Sequence, residues 1–220
     1  MDRIVLKQQA KNLLNKNFIF FLLMSLPSLV FSFIEMIADN RNNLRFDYVS
    51  TYFDMNLNSF SFISMISALI ASLLSVSFLS ANIDILRNES KLEKPLQKSL
   101  NIFDRSDYFI GLLVISILQG IFVLLWMFLF FVPGVIKSLS YSQAFYIYRD
   151  HIKKGEKIGF LQAITESRQL MNGHKWEYFV LLLSFIGWIL LSFVTFGLAA
   201  FWVFPYISIT LANYYVNLTK

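Results

Sequence analysis

Four long apolar runs constrain this chain more than any other feature of its sequence. They cover residues 18–38, 60–86, 108–132 and 178–216. A helix needs about 20 predominantly apolar residues to cross the hydrocarbon of a bilayer, and each run is at least that long. The last run has about 39 residues, too many for one helix, and Thr195-Phe196-Gly197 interrupts it. It therefore predicts a hairpin of two spans, at residues 178–194 and 198–216.

The composition supports a membrane protein. The chain is 56% hydrophobic and 15% charged and contains 24 phenylalanines, whereas about a quarter of the residues in a soluble domain are charged. A water-soluble fold of this length has no interior large enough for so many large apolar side chains. The absence of cysteine excludes disulfides, thiolate metal sites and cysteine nucleophiles.

The stretch at residues 132–148, VPGVIKSLSYSQAFYIY, is too polar for hydropathy alone to assign. The distribution of the basic residues indicates whether this stretch crosses the membrane, because lysine and arginine are retained on the cytoplasmic side. Four lie in the N-terminal arm, five between the second and third runs, and six between Tyr148 and Tyr178. All three groups are cytoplasmic only if residues 132–148 cross the membrane. The charges thus predict a fourth span and explain the net charge of +5 without a nucleic-acid partner.

The predicted fold is an all-α polytopic membrane helix bundle. Residues 1–220 form a single domain of six transmembrane helices arranged as three hairpins, with both termini cytoplasmic. A short cytoplasmic amphipathic helix precedes each hairpin, and residues 132–134 and 195–197 form tight outer links. This threefold pattern indicates an internal repeat, although shared topology alone could produce part of it.

The fourth span suggests a candidate intramembrane polar site. Lys137 and Tyr141 share one helix face, Gln143 follows, and a charge within the membrane is a functional hypothesis that needs a partner. Glu35 lies four residues before the outer end of the first span and matches the depth of Lys137. Two alternatives stay open: Lys137 reaches the outer headgroups while Glu35 is solvated, or the two residues form a buried pair or bind a ligand.

Other polar residues have simpler interpretations. Asp84 and Arg87 are one turn apart and predict a local ion pair. Gln119 and Asn213 are lone amides in apolar surroundings, so we expect interhelical hydrogen bonds from both.

The cytoplasmic loop after the fourth span predicts a lipid-facing basic rim. Basic residues near an anionic membrane surface each contribute about 1 kcal/mol to its attraction, and tryptophan prefers the interface. The predicted rim consists of Lys153, Lys154, Lys157, Lys175 and Trp176. His151 and His174 show no metal-ligand spacing, and we find no nucleotide-binding or hydrolase motif. The sequence thus predicts no metal, cofactor or catalytic residue.

The second half of the chain resembles a known family. The phrases at residues 132–150, 166–192 and 204–215, especially Gly-His-Lys-Trp at 173–176 with Ser-Phe-Ile-Gly-Trp at 184–188, are similar to the bacterial membrane proteins catalogued as domain of unknown function 975. The resemblance covers roughly residues 112–215. It implies a multi-helix protein of the bacterial plasma membrane, distantly similar to membrane domains of some glycerophosphodiester phosphodiesterases, and it brings no catalytic residues.

The function expected from these features is not enzymatic. The chain would act as an accessory or protective module that contacts membrane lipids, mainly anionic ones, or a peptide or membrane-protein partner. The alternative is a small transporter or the membrane subunit of one, because repeats and helices interrupted by proline are common in transporters.

Overall fold

The structure, a computed structural model, describes residues 2–43, 59–104 and 106–220; within its helices, the side chains at 32–43, 59–66, 68, 107 and 131 lie outside the description. The described residues are almost entirely helical and contain no strand. A 3-10 turn at Asn101–Phe103 follows the fourth helix. The helices are α1 (Arg3–Lys16), α2 (Phe18–Asn43), α3 (Ser59–Leu86), α4 (Pro95–Ser99), α5 (Ser106–Leu129), α6 (Phe131–Tyr141), α7 (Ala144–Lys153), α8 (Phe160–Leu170), α9 (Lys175–Leu183), α10 (Ile186–Val194) and α11 (Ala200–Leu218).

Helix α1 is the first of the predicted amphipathic segments. Its N-cap, Asp2, accepts a hydrogen bond from the Ile4 amide at 2.9 Å, which satisfies one of the free donors at the helix start. The chain then bends by 99° between α1 and α2. Leu6, Ala10 and Leu14 are buried on one face of α1, so this helix packs against the bundle. The apolar spacing predicts Leu6, Ala10 and Leu13 for this face, whereas Leu13 is only partly buried.

Helix α11 lies at the centre of the bundle. It contacts α1, α2, α3 and α10, and it is buried along most of its length. Two hydrophobic clusters meet on it: one contains Tyr215 together with residues of α3, α5, α7 and α8, and the other contains Tyr206 and Tyr214 with residues of α1, α2 and α9. Because both clusters contain residues of α11, this helix connects the two clusters.

Three segments of the described structure are long and apolar enough to cross a membrane. Of the segment Leu69–Leu86, 61% of residues are buried inside the protein, against 11% of Tyr108–Leu129 and 17% of Lys175–Val194. The last two segments therefore present apolar surface outward, and their far ends are highly exposed, with Phe128 89% and Phe193 76% accessible. The bent pair α1 and α2 adds a fourth such segment if it is taken as one span.

The turn between α5 and α6 differs from the predicted link at residues 132–134. The chain turns at Phe130, which has extended backbone angles, and α6 already begins at Phe131. Pro133 is therefore inside the first turn of α6, where its missing N–H has no helical partner to lose. Gly134 packs against Met127 so closely that a Cβ there would lie 2.4 Å from the Met127 side chain. The glycine allows the two helices to approach each other.

Two of the predicted spans are broken helices. The fourth is divided into α6 and α7 at Ser142 and Gln143, and the fifth into α9 and α10 at Ser184 and Phe185. The predicted sixth span, α11, is not among the segments apolar enough to cross by composition. The six-span arrangement therefore stays a prediction, whereas the all-helical bundle is confirmed.

Candidate functional site

The main group of charged side chains lies where α3 ends, beside α7 and the last turn of α11. We call it the ion network. Its members come from the end of α3 and the link that follows it, and from α7: Asp84, Arg87, Glu89, Arg149, Asp150 and Lys153.

Arg149 is the most deeply buried member of the ion network, with 4% of its surface exposed. Its guanidinium donates a hydrogen bond to Asp84 Oδ2. Burial by itself would lower the pKa of Arg149, but the hydrogen bond and the negative charge of Asp84 raise it above its ordinary value. The Arg149 side chain is thus a buried cation, and the carboxylate of Asp84 offsets the free-energy cost of burying its charge.

Asp84 also accepts a hydrogen bond from a second cation. Lys153 Nζ lies 2.8 Å from Asp84 Oδ1 and 2.6 Å from Glu89 Oε2. The Lys153 side chain is 40% exposed, so it lies between Asp84 and the solvent. Asp84 is therefore held between a buried arginine and a half-exposed lysine.

The second ion pair connects the end of α3 to α7 and α11. Arg87 Nη1 donates to Asp150 Oδ2 at 2.8 Å, and its Nη2 donates to Thr219 Oγ1 at 3.0 Å. The Tyr215 hydroxyl also donates to Asp150 Oδ2, at 2.9 Å. Burial would lower the pKa of Arg87, but the hydrogen bond and charge of Asp150 raise it above its ordinary value. Three helices therefore meet at one carboxylate.

The two pairs are coupled by a longer contact. Arg149 Nη1 lies 3.7 Å from Asp150 Oδ1, which is too far for a direct hydrogen bond but close enough for strong attraction in a buried setting. The network alternates positive and negative groups, so most of its charges are neutralised within the protein. The network therefore holds the end of α3, α7 and α11 together.

The local Asp84–Arg87 pair predicted from the sequence is wrong. Each residue pairs instead with α7: Asp84 with Arg149, and Arg87 with Asp150. A pair within one helix turn contributes a few tenths of a kcal/mol, whereas α7 brings two adjacent opposite charges to a buried position. The Arg149-Asp150 dipeptide, directly after an apolar and aromatic stretch, was the signal that could have located this site.

A second feature is the break between α6 and α7, which a serine from another helix closes. Ser167 of α8 is fully buried; its hydroxyl donates to the Ser140 carbonyl at 2.8 Å and accepts from the Gln143 amide at 3.1 Å. A helix break buried in protein leaves backbone groups that must find other partners. One hydroxyl supplies both here, so the break is already satisfied within the protein.

The break between α9 and α10 is closed in a similar way. Lys7 of α1 donates from Nζ to the Ser184 carbonyl at 3.2 Å and lies 4.6 Å from the centre of the Phe185 ring. The Ser184 hydroxyl donates to the Leu181 carbonyl at 2.5 Å. The predicted N-terminal amphipathic helix thus contributes its lysine to a helix break far away in the sequence.

The structure divides the predicted intramembrane polar site. Tyr141 and Gln143 are buried beside the α6–α7 break, while Lys137 lies one turn away with its Nζ 4.4 Å from the centre of the Trp126 ring on α5. A cation over an aromatic face gains about 0.5–2 kcal/mol, so Lys137 has a partner that the sequence did not predict. The side chain of Glu35 lies outside the described residues, and its pairing with Lys137 stays a prediction.

A groove of about 500 Å³ opens between α3, α5 and α6 beside Tyr141. Gln119 lines this groove, and its Nε2 donates a hydrogen bond to the Tyr141 carbonyl at 2.6 Å, which confirms the interhelical bond predicted for this amide. Asn213 also makes the predicted bonds, to Gln9 Oε1 at 2.8 Å and the Leu6 carbonyl at 3.4 Å. Both amides stabilise packing between helices.

The predicted basic rim is not uniform. Lys153 belongs to the ion network, whereas Lys154 and Lys157 are exposed and form no ion pair with the described residues. Trp176 is 73% exposed and packs beside Phe179, with ring centres 5.6 Å apart. The rim residues that do not belong to the ion network are therefore Lys154, Lys157, Lys175 and Trp176.

His151 has carboxylates on both sides, which its position in the sequence did not indicate. Its Nδ1 lies 2.5 Å from Glu156 Oε2 and its Nε2 lies 3.0 Å from Glu166 Oε2. Each nitrogen of the imidazole ring therefore contacts a carboxylate of its own. Among the described residues, no group of three or more histidine, cysteine or acidic side chains is placed to hold a metal ion.

Comparison with known proteins identifies one similarity. The model of the family described as protein of unknown function (DUF975) matches residues 131–220, which run from the start of α6 to the end of the chain. This supports the resemblance seen in the sequence, although the match does not extend to residues 112–130. No curated protein and no solved structure matches the chain. The matched part contains α7 of the ion network and both helix breaks.

Proposed function

We propose that this protein is a six-span protein of the bacterial plasma membrane that acts without catalysis, as an accessory or protective module. It would contact anionic lipids or a peptide or membrane-protein partner. The observation that carries the proposal is that the buried charged side chains of the ion network are paired with one another. Asp84, Arg149 and Asp150 hold helices together, which leaves the outer surfaces to make contacts.

The outer surfaces have the chemistry that such contacts need. Apolar side chains cover the outward faces of α5 and of α9 with α10, as lipid-facing helices require. Exposed lysines, including Lys154 and Lys157, lie at the end of the molecule that carries the ion network. This combination favours a bundle seated in a bilayer with its basic end at an anionic leaflet.

The second candidate, a transporter, is favoured by the two broken helices. In transporters, the backbone groups at such breaks bind substrates and ions. In this protein, Ser167 and Lys7 already bond to the breaks at 2.8–3.2 Å, so a solute would have to displace them. We therefore place transport second.

The proposal is tested by reconstituting the purified protein in nanodiscs of phosphatidylcholine alone and in nanodiscs that also contain phosphatidylglycerol. We expect the anionic lipid to raise the melting temperature by several degrees, because each nearby basic residue adds about 1 kcal/mol. Equal melting temperatures would refute the lipid part. Solute uptake by proteoliposomes that depends on Ser167 would favour the transporter instead.

A further inference from the structure

A cavity of about 440 Å³ lies in the segment that follows α3, and none of the ion-network residues lines it. It is formed by the link between α3 and α4, α4 itself and the 3-10 turn. Its volume is within the range of about 300–1,000 Å³ that small-molecule sites have. It is lined by Lys91, Glu93, Lys94, Gln97, Lys98, Asn101 and Asp104.

The wall of this cavity is anchored to the bundle. The Ser77 hydroxyl, buried in α3, donates to Asn101 Oδ1 at 3.1 Å, and the next residue, Ile102, is fully buried. Lys94 has a left-handed backbone, with φ of 48°, which costs a residue other than glycine roughly 1–2 kcal/mol. The Ser77–Asn101 hydrogen bond and the burial of Ile102 attach the 3-10 turn, which forms one side of the cavity, to the bundle.

The charges that line the cavity are mainly positive and available. Lys91, Lys94 and Lys98 form no ion pair with the described residues, in contrast to Lys153, which contacts two carboxylates. Glu93 and Asp104 also line the cavity, so its formal charge is +1, three lysines against two acids. Gln97 and Asn101 add neutral donors suited to the oxygens of an anion.

Exposed apolar side chains alternate in the sequence with the residues that line the cavity. Leu92, Leu96, Leu100 and Phe103 are 38–50% exposed, and α3, the candidate span that precedes them, ends at Leu86. A segment with exposed leucines beside lysines, just beyond the end of a span, is typical of helices that lie in the headgroup region. A membrane span that ended at Leu86 would place the cavity at the depth where the phosphates of a bilayer lie.

We propose that this cavity binds the phosphate group of an anionic phospholipid, with the acyl chains beside the exposed leucines. The inference rests on the proposed membrane function and deepens it by assigning a site and a ligand class. A free phosphate ion shares the headgroup's chemistry, but it gains nothing from the apolar surroundings, so the lipid is the expected ligand.

The experiment compares two variants that lose the same charge. One replaces the cavity lysines, Lys91→Gln with Lys94→Gln and Lys98→Gln; the control replaces rim lysines, Lys154→Gln with Lys157→Gln and Lys175→Gln. Binding of phosphatidylglycerol and of phosphatidylcholine to each purified protein in detergent is measured by native mass spectrometry. Inorganic phosphate is titrated separately, by its effect on the melting temperature.

We expect the cavity variant to bind phosphatidylglycerol about tenfold more weakly or worse, because its three lysines line one cavity. The control variant should lose less, because the rim lysines attract an anionic surface without lining that cavity. Both variants should melt like the wild type, because the cavity lysines have no partner to lose in the described structure. Equal losses in the two variants, or no loss in the cavity variant, would overturn the site. Phosphate binding as tight as lipid binding would overturn the lipid as ligand.

The outcome for the site is separable from that for the function. A wild-type protein that prefers phosphatidylglycerol, with a cavity variant that keeps the preference, would remove the site and leave the proposed function standing. A wild-type protein with no preference for phosphatidylglycerol would overturn both.

Discussion

At the scale of single residues, Arg149 is the most consequential side chain in the molecule. It is a buried cation whose charge is balanced by Asp84 and, at 3.7 Å, by Asp150. Removing one member of a buried ion pair costs about 3–5 kcal/mol, because the other charge stays buried without its partner. Lys153 still reaches Asp84, so part of that cost is offset.

We predict that Arg149→Met lowers the free energy of unfolding by about 3 kcal/mol, measured by thermal or denaturant unfolding in detergent. Lys154→Met is the matched control: it is five residues further along the chain, is exposed and has no ion pair with the described residues, so it should change stability by less than about 0.5 kcal/mol. Equal effects of the two substitutions would show that the ion network contributes little.

The size of the network's contribution also depends on pairing. Replacing both partners of a buried ion pair by apolar residues is often close to neutral, unlike replacing one. We predict that Asp84→Leu combined with Arg149→Leu is less destabilising than Arg149→Leu alone, measured in the same assay. A double variant that loses at least the sum of the single effects would contradict a direct interaction between the two residues.

At the scale of helices, the breaks are the distinctive elements. The hydroxyl of Ser167 is bonded to two backbone groups of the α6–α7 break. Without that hydroxyl, a buried carbonyl and a buried amide lose their partner, and each unsatisfied group costs about 1–3 kcal/mol. The break is thus stabilised by a residue of α8 more than by the sequence of α6 and α7.

We predict that Ser167→Ala destabilises the protein by about 2 kcal/mol and increases hydrogen exchange of the amide at Gln143. Thr165→Ala is the control on the same helix, because its hydroxyl only donates back to the Leu161 carbonyl at 2.9 Å and is exposed. An unchanged exchange rate at Gln143 in Ser167→Ala would show that the break does not depend on this hydroxyl.

At the scale of the whole molecule, the central question is how many times the chain crosses the membrane. The structure contains three segments long and apolar enough to span, or four with the bent pair, and the basic residues predict six. The broken helix formed by α6 and α7 decides between topologies, because it sets the side on which Lys157 lies.

Cysteine labelling tests this topology directly, since the chain has no cysteine of its own. In intact cells, a membrane-impermeant maleimide should label Asp47→Cys and Phe196→Cys, which lie on predicted outer segments. It should label Lys94→Cys and Lys157→Cys only after the cells are permeabilised. Labelling of Lys157→Cys in intact cells would mean that α6 and α7 do not cross, and the six-span arrangement would be wrong.

Much of the helical architecture was predictable from local patterns. The runs at residues 18–38 and 60–86 correspond to α2 and α3, whose bounds are Phe18–Asn43 and Ser59–Leu86, because apolar length alone indicates a helix of this kind. The turn at residues 195–197 was also predicted correctly: Phe196 and Gly197 both have positive φ there. These features depend on neighbours in the sequence, which a single chain displays.

The helix breaks and the ion pairs were not predictable in this way. Ser167 closes a break 24 residues before it, and Lys153 pairs with Asp84, 69 residues before it. The sequence around Ser167 and Lys153 does not predict which distant residue each of them contacts. Lys137 shows the same limit, since the aromatic ring beneath it is on α5 and the carboxylate proposed for it is on α2.

The sequence by itself determined that this chain forms long apolar helices with a turn at residues 195–197, because hydrophobic length and turn residues are local properties. Only the tertiary structure decided which polar groups meet: Arg149 with Asp84, Asp150 with Arg87 and Tyr215, and Ser167 with the break at Gln143. The physical reason is that a buried charge or backbone group must find a partner, but the closest partner in space is set by how whole helices pack.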